Sequence, residues 1–286
     1  VKYKTQAGIE KVITFLPNDL KVDDKVYTIP VAVMNALQTQ QTQTDDTNFK
    51  SEINWPETLK AMAPEFLKYL ILVILFFIIP GLIFTRNIAI AIPIGFVLVT
   101  LLSYILGYLG NLNPIFKSNY FLWSLPIISL IVQNKKILKG FELPKFNLNL
   151  ILITLLVLTG TIIWSLTTIK NGLLFNYGLG FWGPNGHDAI WHLSLINELQ
   201  KNIPPQNPIF GGVSLNNYHY FYDLLIAKSA LLLNINILDL VCRFFPVTFA
   251  FLAGILIYKL AFKISKSFTA SFWATFFLYF GGSFGW

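Results

Sequence analysis

The chain has 286 residues, of which 55% are hydrophobic, 16% aromatic and 12% charged, with a mean hydropathy of +0.60. A soluble domain carries roughly twice that charged fraction and a disordered chain needs low hydrophobicity with high charge, while a lone cysteine, Cys242, excludes a disulfide scaffold. The net charge of +7 does not point to nucleic acid: residues 1–67 hold seven lysines against nine acids, and the fourteen basic residues beyond them lie mostly between apolar runs, as membrane anchors do.

Residues 1–67 form a polar segment. Within it, 38–48 is a low-complexity tract that reads as a linker or exposed loop, and 27–33 fits a short strand. Six apolar runs follow, at 69–84, 88–109, 120–132, 148–169, 240–262 and from 267 to the end. A helix needs about 20 residues to cross a bilayer, so the expected fold is an all-α polytopic membrane protein with about six transmembrane helices. The run 120–132 is short enough to demand a tilt or local thinning. Because the chain starts at Val1 and stops directly out of an apolar aromatic run at Trp286, it is expected to be a fragment of a longer protein.

Lysines orient the stack. The turn 134–147 carries Lys135, Lys136, Lys139 and Lys145 against Glu142, and the turn 259–266 carries Lys259, Lys263 and Lys266 with no acid. Short basic loops stay cytoplasmic, which puts 170–239 and the acidic segment 1–67 on the outer face. The parity of crossings then forbids 220–233 from being a span, so that run is expected to lie in the interface as an amphipathic helix. The resulting division is an extracytoplasmic segment 1–67, three transmembrane helices in 68–148, and a section 149–286 containing the outer loop 170–239.

All three histidines, His187, His192 and His219, fall in that loop, together with Asp188, Glu198 and Asp223. A turn cluster at 182–186 precedes a helix over 187–201 with Ile190, Leu193, Ile196 and Leu199 on one face. The Pro- and Gly-rich strip 202–217 leads to the second loop helix, 218–233. Asp188 opens the first of these helices, and Trp191 and His192 share its face. An Asp there can cap the helix. It can equally serve as a general base or metal-binding carboxylate at the membrane boundary.

His187 and His192 stand five apart, poor spacing for two ligands on one face. No HExxH or Cys cluster is present, which argues against a structural zinc site. His192 is expected to hydrogen-bond near Asp188. The cluster Tyr218-His219-Tyr220-Phe221-Tyr222 reads either as a headgroup-level anchor or as a sugar and phosphate contact. Arg243 reads either as the i,i+4 partner of Asp239 or as a cation for a lipid phosphate, with Lys170 and Lys201 as helpers or anchors.

A span, a long outer loop with an early acid and two membrane-lying helices, then a returning span, resembles the GT-C superfamily of multi-span glycosyltransferases that use polyprenyl-phosphate sugar donors. The stretch GHDAIWHLSLINELQKNIPPQNPIFGGVSLNNYHYFYDLL also resembles a loop of bacterial and archaeal membrane proteins placed near that superfamily. The resemblance covers roughly 149–286. It implies sugar transfer from a polyprenyl-phosphate donor to a glycan, lipid or protein acceptor at the outer face of the cytoplasmic membrane. Asp188 would be the base, or the carboxylate that helps place a divalent metal ion. His187, Trp191, His192, Tyr218, His219 and Tyr222 would shape the substrate site, and Arg243 would hold the donor phosphate. Many members carry an acidic pair where this chain has His187-Asp188-Ala189. The rival readings are a transporter or flippase, for which Pro80-Gly81 and Pro93 are the hints, and a scaffold or sensor whose outer loop binds a partner.

Overall fold

A computed structural model describes residues 2–4, 10–15, 19–22, 25–28, 53, 55–133, 147–175, 178–186, 188–210 and 212–282. The chain divides into two units, residues 1–51 and 52–286. The first holds a four-stranded antiparallel meander in the order β1 (Lys2–Lys4), β2 (Glu10–Phe15), β3 (Asp19–Val22), β4 (Lys25–Thr28). Its register pairs Tyr3 with Lys11, Phe15 with Leu20 and Leu20 with Tyr27. This sheet is an addition to the all-α expectation. The strand expected over 27–33 overlaps β4 only at Tyr27 and Thr28; residues 29–33 and the tract 38–48 lie outside the described residues.

The second unit is dominated by helix. Four helices are long and apolar enough to cross a membrane: α1 (Trp55–Gly81), α2 (Ile88–Leu112), α4 (Leu148–Ile169) and α7 (Ile237–Ser265). Two shorter apolar helices sit where further spans were expected: α3 (Ser124–Gln133), which two 3-10 turns precede, and α8 (Phe268–Phe280). Helix α1 begins at Trp55, so residues 55–67 belong to the first helix and not to the polar segment. The charges Glu57, Lys60, Glu65 and Lys68 dilute its first turns in any composition window. Side-chain caps mark three starts: Asn87 accepts from Ala89 N–H, Asn147 from Leu150 N–H and Ser267 from Ala270 N–H. Lys266, in the left-handed region at φ 54°, ends α7.

Helices α1 and α7 each contain a π-helical stretch, Val73–Ile78 and Leu240–Phe244, and they meet through aromatic rings. Tyr69 stacks on Phe244 with centroids 5.1 Å apart, and its hydroxyl lies 2.7 Å from Thr248 Oγ1. Phe76, Phe77 and Phe245 are fully buried there. Against α2 the approach is closer still: a Cβ on Gly95 would fall on the backbone of Phe77, and one on Gly81 on the backbone of Ala91. Small residues at such crossings let helices touch backbone to backbone. Gly95→Ala should therefore lower stability by about 1–3 kcal/mol, read as an earlier unfolding midpoint in detergent; an unchanged midpoint would refute the crossing.

The start of α4 and the lysine-rich turn after α7 share one end of the bundle. Asn147 and Asn149 line the same cavity of about 880 Å3 as Lys259, Lys263 and Lys266, with Ile153, Val157 and Ile255 among its apolar walls. The rest of the first turn, 134–146, lies outside the described residues. Residues 170–240 gather at the opposite end. There Asn111 donates to the Ile203 carbonyl at 2.8 Å, and Glu65 accepts from Asn236 N–H at 2.7 Å.

One loop helix departs from expectation. Helix α6 (Phe221–Leu233) is buried from Asp223 to Ala230 and again at Leu232. It is wedged against α1, α2 and α5 (Asp188–Lys201) and does not lie as an amphipathic strip in the interface. Leu224, Leu225, Ile226 and Ala227 leave no polar face over that turn, and neighbouring helices cover it.

Candidate functional site

Helices α5 and α6 run side by side, and the strip between them folds back along the pair. The strip is shaped by its own bonds: Asn207 Oδ1 accepts from the N–H groups of Ile209 and Phe210, and Gln206 forms a bridge with Ser214. Before α5, a hairpin of β5 (Leu173–Phe175) and β6 (Gly178–Gly180) opens at Asn171. The buried Asn171 amide donates to the carbonyls of Thr167 and Thr168, and its oxygen accepts from Trp182 N–H at 2.7 Å. One side chain thus ties the end of α4 to the turn before α5.

The ionisable centre is a pair between the two loop helices. His192 Nδ1 lies 2.8 Å from Asp223 Oδ1; the Asp223 side chain is 1% exposed and that of His192 31%. Trp191 meets Tyr218 edge to face at 5.6 Å, and Tyr218 stacks on His219 at 4.6 Å. The structure brings Trp191 to Tyr218, Tyr218 to His219 and His192 to Asp223, not to Asp188. A carboxylate on Nδ1 fixes the ring and leaves Nε2 for other work.

Asp188 is exposed at the start of α5, and its carboxylate has no hydrogen bond among the described residues. The bond expected between His192 and Asp188 is not made, because the imidazole turns to Asp223. His187 lies outside the described residues. Tyr222 points the other way, with its ring against Phe249 and Phe245 of α7 at 5.7 and 6.3 Å.

Arg243 is committed elsewhere. Its side chain is 5% exposed; Nε donates to Asp239 Oδ1 at 2.6 Å and Nη1 to the Asn171 carbonyl at 2.8 Å, with Nη2 reaching the Gly172 carbonyl at 3.4 Å. This is the i,i+4 pair with Asp239, extended to the hairpin. With the guanidinium so occupied, a hold on donor phosphate would require these bonds to open.

Among the described residues, no three His, Cys, Asp or Glu side chains gather as a metal ion would require. Asp188 is thus the carboxylate left for such an ion, without described companions. Asp223 was missed by sequence reasoning because its partner lies 31 positions away on another helix. The only signal for it was an acid in the first turn of a helix next to a histidine.

No family model matches the chain, nor does any curated protein or solved structure. The site's chemistry must therefore be read from its own groups. Burial raises the Asp223 carboxyl above its ordinary value of 3.8, and His192 and His219 offset only part of that rise. The folded protein then holds this proton more tightly than the unfolded chain. The associated stability is full below 3.8 and is lost as pH rises through the raised value. Asp223→Asn should flatten this fall in a series of unfolding midpoints taken from acid to neutral pH. A profile identical to wild type would disprove the raised value.

Proposed function

We propose that the chain is the working part of a membrane transferase. It moves a sugar from a polyprenyl-phosphate donor to an acceptor on the outer side of the cytoplasmic membrane. The observation that carries this reading is the His192–Asp223 pair, rimmed by Trp191, Tyr218 and His219, with the exposed Asp188 one helical turn before His192 on α5. The bundle of apolar helices supports a lipid environment. Lys259, Lys263 and Lys266 at the other end support an outward-facing site.

In this reading Asp188 takes the proton of the acceptor hydroxyl. The acceptor oxygen bonds to the anomeric carbon, and the bond from that carbon to the phosphate oxygen breaks. Polyprenyl phosphate leaves with the electron pair. His192, oriented by Asp223, faces the donor phosphate with its Nε2, a part that Arg243 is too engaged to play. The rings of Trp191 and Tyr218 offer apolar faces to the sugar. The test is transfer of labelled sugar from a polyprenyl-phosphate donor by membranes carrying the chain, wild type against Asp188→Asn. Label passed on equally by both would overturn the assignment, and labelled solute entering liposomes would favour a transporter.

A further inference from the structure

Helices α4, α7 and α8 close on one another at Tyr279. A Cβ on Gly160 or on Gly254 would fall on the Tyr279 side chain. The Tyr279 hydroxyl donates to the Ala250 carbonyl at 2.7 Å, and its carbonyl accepts from Trp164 Nε1 at 3.0 Å. Toward the lysine end of the bundle, the cavity of about 880 Å3 lies between α4 and α7. Ligand-binding clefts run to about 300–1,000 Å3.

The cavity is a slot along the helices. On α4 its lining runs from Asn147 to Val157, about 15 Å of helix, and on α7 from Phe251 to Lys266, about 20 Å. One leaflet is half of a hydrocarbon core about 30 Å thick, so the slot matches it in length. Ile153, Val157, Phe251 and Ile255 make the deep part apolar, while Lys259, Lys263 and Lys266 stand at the other end with Asn149.

Those three lysines are exposed and pair with no acid among the described residues. The described carboxylates of the membrane unit are Glu57, Glu65, Asp188, Glu198, Asp223 and Asp239. They belong to the first part of α1, to α5, to α6 and to the start of α7, at the loop end. The sequence 134–146 holds four lysines against Glu142, so it adds more positive charge than negative. The C-terminal carbonyls of α7 offer only about half an elementary charge. Lysines that merely fix topology need no cleft beside them, and lipid that merely surrounds the helices needs no charge. The two features together fit a ligand that is anionic at one end and apolar along the rest.

We propose that this cleft holds an anionic glycerophospholipid from the leaflet on the lysine side. An acyl chain lies between α4 and α7 against Ile153, Val157 and Ile255. The headgroup, with its net negative charge, sits among Lys259, Lys263 and Lys266, and Asn149 offers it a further donor. The site is at the end of the bundle away from the His192–Asp223 pair and does not depend on the transferase reading.

The experiment uses the whole chain in nanodiscs of equal parts phosphatidylcholine and phosphatidylglycerol. The protein is extracted in mild detergent, and native mass spectrometry counts the lipid that stays bound. Wild type should retain phosphatidylglycerol about tenfold over phosphatidylcholine, since each lysine at a membrane surface favours acidic lipid. The triple variant Lys259→Gln, Lys263→Gln, Lys266→Gln should retain the two equally. Ile255→Trp, which fills the cleft and leaves the lysines in place, should also lose the preference. Equal retention of the two lipids by wild type overturns the proposal. So does a preference that survives the triple variant, which would take the lysines out of the site. A preference that survives Ile255→Trp overturns it as well, since the lysines would then be attracting lipid at the surface without the cleft. Should the triple variant fail to fold, Ile255→Trp decides.

Discussion

Asp188→Asn is expected to abolish sugar transfer while leaving the amount of protein in the membrane and its helix content unchanged. Asparagine keeps the shape and hydrogen-bonding reach of the side chain but cannot take a proton at neutral pH. Positioned general bases contribute about 10²–10⁴-fold to rate, so the loss should reach the floor of most assays. The fold has little at stake. The side chain is exposed and has no bond among the described residues, and the lost interaction between its charge and the helix N-terminus is worth roughly 0.3–1 kcal/mol. Transfer at the wild-type rate would remove Asp188 from the mechanism. Loss of the protein from the membrane would instead give Asp188 a structural part that its exposure does not suggest.

Arg243→Ala should have the largest effect on stability, about 3–5 kcal/mol. The substitution leaves the Asp239 carboxylate, itself 4% exposed, without its partner, and strips the donors from the carbonyls of Asn171 and Gly172. Much of that cost is the unpaired acid, so a double variant, Arg243→Met with Asp239→Asn, should recover a good part of it. Chemical unfolding of the two proteins in the same detergent measures the difference. An Arg243→Ala midpoint equal to wild type would show that the bonds to the hairpin carry no weight. If the double variant is stable yet inactive, the phosphate role considered for Arg243 returns.

Much of the helical framework could be read directly from the chain. Asn87, Asn147 and Ser267 stand just before apolar runs, where a short polar side chain can satisfy free N–H groups. Arg243 and Asp239 are one turn apart, so their pair followed from helical spacing. Helix α6 was harder. Asp223 and Lys228 in an apolar run imitate an amphipathic strip, and nothing in the run itself says that protein and not lipid covers the remaining faces. The site was legible in composition but not in pairing. The sequence gathers three histidines into one loop, yet choosing Asp223 over Asp188 for His192 requires knowing how α6 lies beside α5. The hairpin at Leu173–Phe175 was missed because its strands are too short to show alternation.

The union of α1 with α7 also dictates an order of events during synthesis. Tyr69 finds Thr248 across 179 positions, and Glu65 finds Asn236 across 171. At about 5–20 residues per second, α1 has been made for roughly ten seconds or more before its partner emerges. Through that interval Phe77 has no Phe245 to close over it. The first pair of spans must wait in the membrane half-packed, held by little more than the close crossing at Gly81 and Gly95. Quality-control proteases would meet the chain in that state, so slowing translation between α2 and α7 should cost yield more than slowing it after α7.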